Sequence, residues 1–135
     1  MSDRNPAQSP AQSAAPGVEQ PTDPEDRKII TLARSARART GASEGACVRD
    51  SDGRTYAGCS VELAHLRLSA LEVAIAMAVS SGAPGLEAVA ISRDQPPTEQ
   101  DAALIGDLPG SAVTIWHVDV RGAVIGRDVV EGATR

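Results

Sequence analysis

Phenylalanine is absent from the chain, and Tyr56 and Trp116 are its only aromatic residues. A core built almost without rings must rely on Ala, Val, Leu and Ile packed between regular layers, which suits an α/β sandwich better than an aromatic-rich β protein. The same lack removes the stacking platforms that single-stranded nucleic acids need, and a net charge of −5 denies a general phosphate-binding surface. No nucleic-acid partner is expected. Cysteine is scarce as well: Cys47 and Cys59 stand alone, with no secretory signal before them, so reduced thiols in the cytoplasm are expected. Long hydrophobic runs are missing, since the longest, residues 73–79, falls far short of the roughly 20 residues that span a bilayer. No membrane partner is expected. Lysine is nearly absent too, with Lys28 alone among 13 basic residues, as in the proteins of a GC-rich bacterial genome.

What is present reads as one domain preceded by a tail. Residues 1–20, rich in Ala, Ser, Pro and Gln, lack hydrophobic periodicity and cannot bury enough apolar surface to offset their ordering entropy. A disordered tail is expected there, with the domain spanning 21–130. Asp23 is an N-cap residue followed by Pro24 at the first helical position and by acids in the first turn, so a helix is expected to about Thr40, ending at Gly41. Ile29, Leu32, Ala33 and Ala36 form its apolar stripe; the arginines on the remainder read as a solvated face rather than a recognition surface. Asp50-Ser51-Asp52-Gly53 is a hairpin turn between strands at 45–49 and 54–61. A helix apolar on nearly every face is expected over 70–79, closed by Gly82, and such a helix is buried. A strand over 86–92, a helix over 98–108 and strands over 112–120 and 123–127 complete the order α-β-β-α-β-α-β-β.

The segment Asp52-Gly53-Arg54-Thr55-Tyr56-Ala57-Gly58-Cys59-Ser60-Val61-Glu62, followed by the apolar helix and the strand Leu86-Glu87-Ala88-Val89-Ala90-Ile91, resembles the cytidine deaminases. That family carries Gly-Cys-Asn-Val-Glu-Asn on its hairpin, Cys-Ala-Glu at the head of a buried helix and Pro-Cys-x-x-Cys at the head of another. Order and most of the spacing match from about Leu32 to Ile125. The resemblance implies a three-layer α/β/α sandwich with a mixed sheet of about five strands. It also implies a zinc ion on three protein ligands, an activated water and a proton-shuttling glutamate.

The matching positions here hold other residues. Ser69 stands at the first ligand, Leu71 at the catalytic glutamate, and Thr98 and Asp101 at the two later cysteines. Neutral hydroxyls are poor zinc donors, so this is expected to be a degenerate former metal site, with no metal and no cofactor. Ser69-x-x-Glu72 reads instead as a capping box, and Thr98-x-x-Asp101 as a weaker one. No nucleophile and base pair emerges around Asp101, Glu72 or Glu99. His65 reads as a loop residue and His117 as a strand residue, and Cys59 matches a family cysteine that is not a ligand. On the substrate side, Glu62 matches the ribose-holding glutamate, Ser60 replaces the asparagine and Leu63 replaces the second asparagine. The leading expectation is a non-catalytic structural or interaction protein with an unidentified protein partner. As family members usually do, it would be a homo-oligomer, dimer or tetramer. The alternatives are a cytidine deaminase with a rearranged site and a module that binds a pyrimidine nucleoside through Ser60 and Glu62.

Overall fold

The computed structural model describes residues 18–134. In chain order these form α1 (Pro24–Thr40), β1 (Gly45–Asp50), β2 (Thr55–Cys59), β3 (Val61–Glu62), β4 (Arg67–Leu68), α2 (Ala70–Ser80), β5 (Leu86–Ser92), α3 (Glu99–Gly106), β6 (Val113–Val118) and β7 (Val124–Val130). The main sheet has five strands in the order β2-β1-β5-β6-β7, while β3 and β4 form a separate small hairpin. Only β5 and β6 are parallel, joined through α3; the other neighbours run antiparallel. The sheet is therefore mixed, as a chain that alternates hairpins with one crossover requires.

Side-chain alternation along the strands divides the core in two. Ala46, Val48, Val89, Ile91, Val113 and Ile115 face α2 and α3, meeting Leu71, Ile75 and Ile105. Cys47, Ala88, Ala90, Trp116 and Val118 face α1, meeting Ile29, Ile30 and Ala33. The α1 face is lined largely with small residues, so that helix lies close to the sheet. At Gly45 the approach is closest: a Cβ there would overlap the Ala33 carbonyl oxygen, so no larger residue fits without moving α1. The Asp23 carboxylate accepts the Glu25 amide and Gly41 closes the helix in the left-handed conformation, as expected from the sequence.

Both aromatic residues pack against the sheet. Trp116 is 2% exposed and carries the Arg127 guanidinium 5.7 Å above its ring, and Tyr56 lies against the α2 side of the core. Val18 packs against the α1 side of the core and Glu19 lies 3.7 Å from Arg127. The disordered tail expected over 1–20 falls, for 1–17, outside the described residues.

The last strand runs on to Val130 where 127 was expected, and the structure departs further from the sequence reading in two places. The second strand ends at Cys59, and the chain then makes the β3-β4 hairpin where a continuation toward α2 was expected. In addition, α2 is buried on one side only: Ala70, Leu71, Ala74, Ile75 and Ala78 are buried, but Met77 and Val79 are 41% and 55% exposed. An 11-residue helix lying on a single sheet has one covered face, whatever its composition. Among the described residues no helix is long and apolar enough to cross a membrane.

Candidate functional site

The site lies at the sheet end where β1 begins and β5 finishes. Gly45 pairs with Ser92, so the residues just outside that pair, Glu44 and Arg93, become neighbours. The starts of α2 and α3 face the same region.

Ser69 is the N-cap of α2. Its Oγ accepts the Glu72 amide at 3.0 Å, and the Glu72 carboxylate accepts the Ser69 amide at 2.7 Å. Thr98 caps α3 in the same way: Oγ1 accepts the Asp101 amide at 3.2 Å and Asp101 Oδ2 accepts the Thr98 amide at 2.8 Å. Both are complete capping boxes, and each bond of the second is slightly longer than its counterpart in the first. A third acid joins them, because Glu44 Oε1 accepts the Ala70 amide at 3.1 Å. Carboxylates thus sit on the positive ends of both helices, where the exposed amides and the dipole favour them.

Between the two helix starts lies the Arg93 guanidinium, 5% exposed. It is hydrogen-bonded to Asp101, which is 3% exposed, and its Nη1 lies 3.7 Å from Glu44 Oε2. Burial pushes the Asp101 carboxyl upward, but the bonds from Arg93 and the Thr98 amide outweigh it and hold it below the usual carboxylate range.

As a zinc donor set, Ser69, Thr98 and Asp101 do not fit. Two are neutral hydroxyls whose oxygens already accept amides, and the third is a carboxylate engaged by a cation. Among the described residues no three His, Cys, Asp or Glu side chains group to hold a metal. Leu71, at the position matched to the catalytic glutamate, is 1% exposed and lies in the apolar core. Neither cysteine is on the first turn of α2 or α3; Cys47 is buried in the sheet, where burial pushes its thiol up to about 11. His65 is exposed in the β3-β4 loop, and His117 is a buried strand residue whose Nε2 lies 3.2 Å from the Arg93 carbonyl oxygen.

Ser60, Glu62 and Ser69 come together on a shallow cleft of about 280 Å³, which Ser43, Glu44 and Arg67 also line. Thr98 and Asp101 are not among its walls. Ser60 Oγ is already in use, 3.3 Å from Ser43 Oγ and accepting the Glu44 amide at 3.3 Å. Glu62 is exposed and faces Arg67 across the small hairpin. A larger cavity of about 610 Å³, at the opposite end of the sheet beside Ser51, Glu87 and Pro109, holds none of these residues.

Glu44 and Arg93 were missed in the sequence. The signal for them is the acid directly before β1 and the arginine directly after β5, which speak only once β1 and β5 are known to pair at those ends.

Comparison with curated proteins finds no sequence match. Among solved structures, the fold is similar to cytidine deaminase from Burkholderia pseudomallei, at a TM-score of 0.63 and 21% identity, over 77% of this chain and 90% of that one. It is similar to cytidine deaminase from Mycobacterium leprae, at 0.61 and 22%, over 79% and 94%. Cytidine deaminase from Mycobacterium tuberculosis gives 0.59 and 25%, over 69% and 85%. The model of the family described as cytidine deaminase-like matches residues 22–122, from the cap of α1 to the turn before β7. With the hairpin, both helix starts and the crossover all inside that match, the chain belongs to the cytidine deaminase-like family.

Proposed function

We propose that this chain is a non-catalytic member of its family that works as a homo-oligomeric structural or interaction protein. One observation carries the reading: the two helix starts are closed by capping boxes and an arginine, while Leu71 occupies the matched catalytic position and is turned into the core. Hydrolytic deamination needs an activated water and a group to move its protons, and the residues at the matched positions supply neither. Oligomer formation is supported by the apolar surface left on one chain, where Leu63, Leu66, Met77 and Val79 are 41% to 60% exposed. One preparation tests the whole reading. Purified protein is expected to contain no stoichiometric zinc, to leave cytidine absorbance unchanged, and to give a light-scattering mass above that of one chain. Stoichiometric zinc with turnover would overturn the loss of catalysis; a strict monomer at micromolar concentration would overturn the assembly.

A second reading, a pyrimidine nucleoside held by Ser60 and Glu62, is favoured by their meeting on one cleft. Against it, the cleft of about 280 Å³ lies just under the roughly 300–1,000 Å³ of ordinary ligand pockets. Calorimetric titration with cytidine and uridine decides between the two. Heat that disappears in Glu62→Ala establishes the binding module; no heat at millimolar ligand removes it.

A further inference from the structure

Arg93 is unusual among the charged residues in having nearly every donor used inside the protein. Its Nε–H donates to the Gln95 carbonyl at 3.0 Å, and Nη2 donates to the Pro96 carbonyl at 2.9 Å and to the Asp101 carboxylate. Nη1 reaches Asp101 Oδ1 at 3.5 Å and faces Glu44 Oε2 at 3.7 Å. Its backbone is fixed as well, the amide donating to the Val118 carbonyl at 3.0 Å and the carbonyl meeting His117 Nε2.

The two carboxylates it touches are themselves bound to helix starts, Asp101 to the Thr98 amide and Glu44 to the Ala70 amide. The result is one continuous chain of charge: the positive end of α3, a carboxylate, a guanidinium, a carboxylate, the positive end of α2. Two helix ends aimed at one region each draw in an anion, and two anions so close require a cation between them. A planar fork with five donors suits that place, because it can serve two carboxylates and two carbonyls at once.

We propose that Arg93 is the resident cation of this junction, a side chain that replaces a bound metal by cross-linking the starts of α2 and α3 through Glu44 and Asp101, and that closes the junction to divalent ions. A divalent ion would have to displace the guanidinium from its carboxylates and would gain beside them only the Ser69 and Thr98 hydroxyls and the Glu72 carboxylate, all already engaged by helix amides. Unlike a metal, this cross-link is insensitive to chelators. The replacement of a metal rests on the non-catalytic reading above; the cross-link itself does not.

Thermal unfolding of the full chain tests both parts. For the unaltered protein, Tm is expected to be the same in chelator and in excess zinc. Arg93→Met, which keeps much of the length without the charge, leaves the buried Asp101 carboxylate and the half-buried Glu44 carboxylate without their cation and is expected to lower Tm by about 10 °C or more. Arg93→Lys restores a charge but not the fork and is expected to recover less than half of that loss. Arg93→Ala is expected to regain Tm with millimolar methylguanidinium and not with sodium chloride at equal ionic strength, which separates the ion's role from side-chain packing. If Arg93→Met matches the unaltered protein while zinc remains inert, the cross-link is wrong and the non-catalytic reading stands. If zinc raises the Tm of the unaltered protein, metal replacement and the non-catalytic reading fail together.

Discussion

Replacing Leu71 with glutamate is expected to unfold the domain at neutral pH rather than to create a deaminase. Leu71 is 1% exposed and shares its core with Ala46, Val48, Ile75, Ile91, Ile105 and Ile115. Truncation alone, Leu71→Ala, removes buried methyl groups and leaves a cavity, at a cost of about 2–5 kcal/mol. Glutamate forfeits the same contacts and adds an ionised carboxylate among aliphatic side chains, a penalty of several kcal/mol more unless a partner is found. The buried cation at the start of the same helix is already engaged by Asp101 and Glu44. The sum approaches the entire stability of an ordinary domain, about 5–15 kcal/mol. Leu71→Met, which conserves volume, is expected to cost less than about 1.5 kcal/mol and controls for the position itself. Urea denaturation followed by circular dichroism ranks the three. A Leu71→Glu protein as stable as the original would mean that the side chain can leave the core for the cleft, and turnover of cytidine by it would end the reading of this position as pure packing.

Residue 71 also marks the limit of what the sequence discloses. The elements that could be read in advance carry local signals: Asp23-Pro24 at the start of α1, the Asp-Gly turn of the hairpin and the two capping boxes are all written within about four residues. The β3-β4 hairpin was not legible, because strands of two residues have no periodicity and its loop contains Leu63 and Leu66, which look like the start of an apolar helix. One-sided burial of α2 was hidden for a different reason. Ala, Ile, Met and Val on every face give no stripe, so only the packing on the sheet shows which side is covered.

The site was half legible on similar grounds. Ser69, Thr98 and Asp101 could be read as caps from spacing alone. The second partner of Asp101, the Arg93 guanidinium, and the reach of Glu44 to both Ala70 and Arg93 depend on strand register, which no local pattern encodes. What spacing presents as two independent helix caps is therefore one charged unit spanning four elements, the start of β1, the end of β5, α2 and α3. Cys and His ligands come at fixed local spacings, whereas an arginine that bridges two helix starts leaves no motif.

Acid should destabilise the protein in two steps, and Asp50 and Asp101 both contribute to the lower one. Asp50 is fully buried; Oδ1 accepts the Asp52 and Arg54 amides, each at 2.9 Å, and Oδ2 accepts the Tyr56 hydroxyl at 2.8 Å. This single carboxylate organises the turn between β1 and β2. Asp50→Ala is expected to cost about 3–5 kcal/mol, less than three separate bonds to a charge would sum to, because the turn amides regain water. Burial pushes the Asp50 carboxyl up, but the hydrogen bonds from Tyr56 and the two amides prevail and hold it below the usual value, as Arg93 does for Asp101. For a carboxyl whose folded pKa is depressed, the unfolded chain binds more protons at acid pH. The stability these groups contribute is complete above the unfolded value near 4 and is lost as pH falls through their folded values. His117 obeys the same sign in a higher window. Burial, aided by the Arg93 charge and opposed by its hydrogen bond to the Arg93 carbonyl, places its pKa below 6.5, so its contribution is complete above about pH 6.5 and declines below it. Urea midpoints measured from pH 8 to pH 3 should therefore fall first below about 6.5 and again below about 4. His117→Asn should remove the upper step and Asp50→Asn should shrink the lower, leaving the part that Asp101 contributes. A midpoint that stays constant from pH 7 to pH 5 would show that the imidazole is as easily protonated in the folded sheet as in water, and would contradict its burial against Arg93.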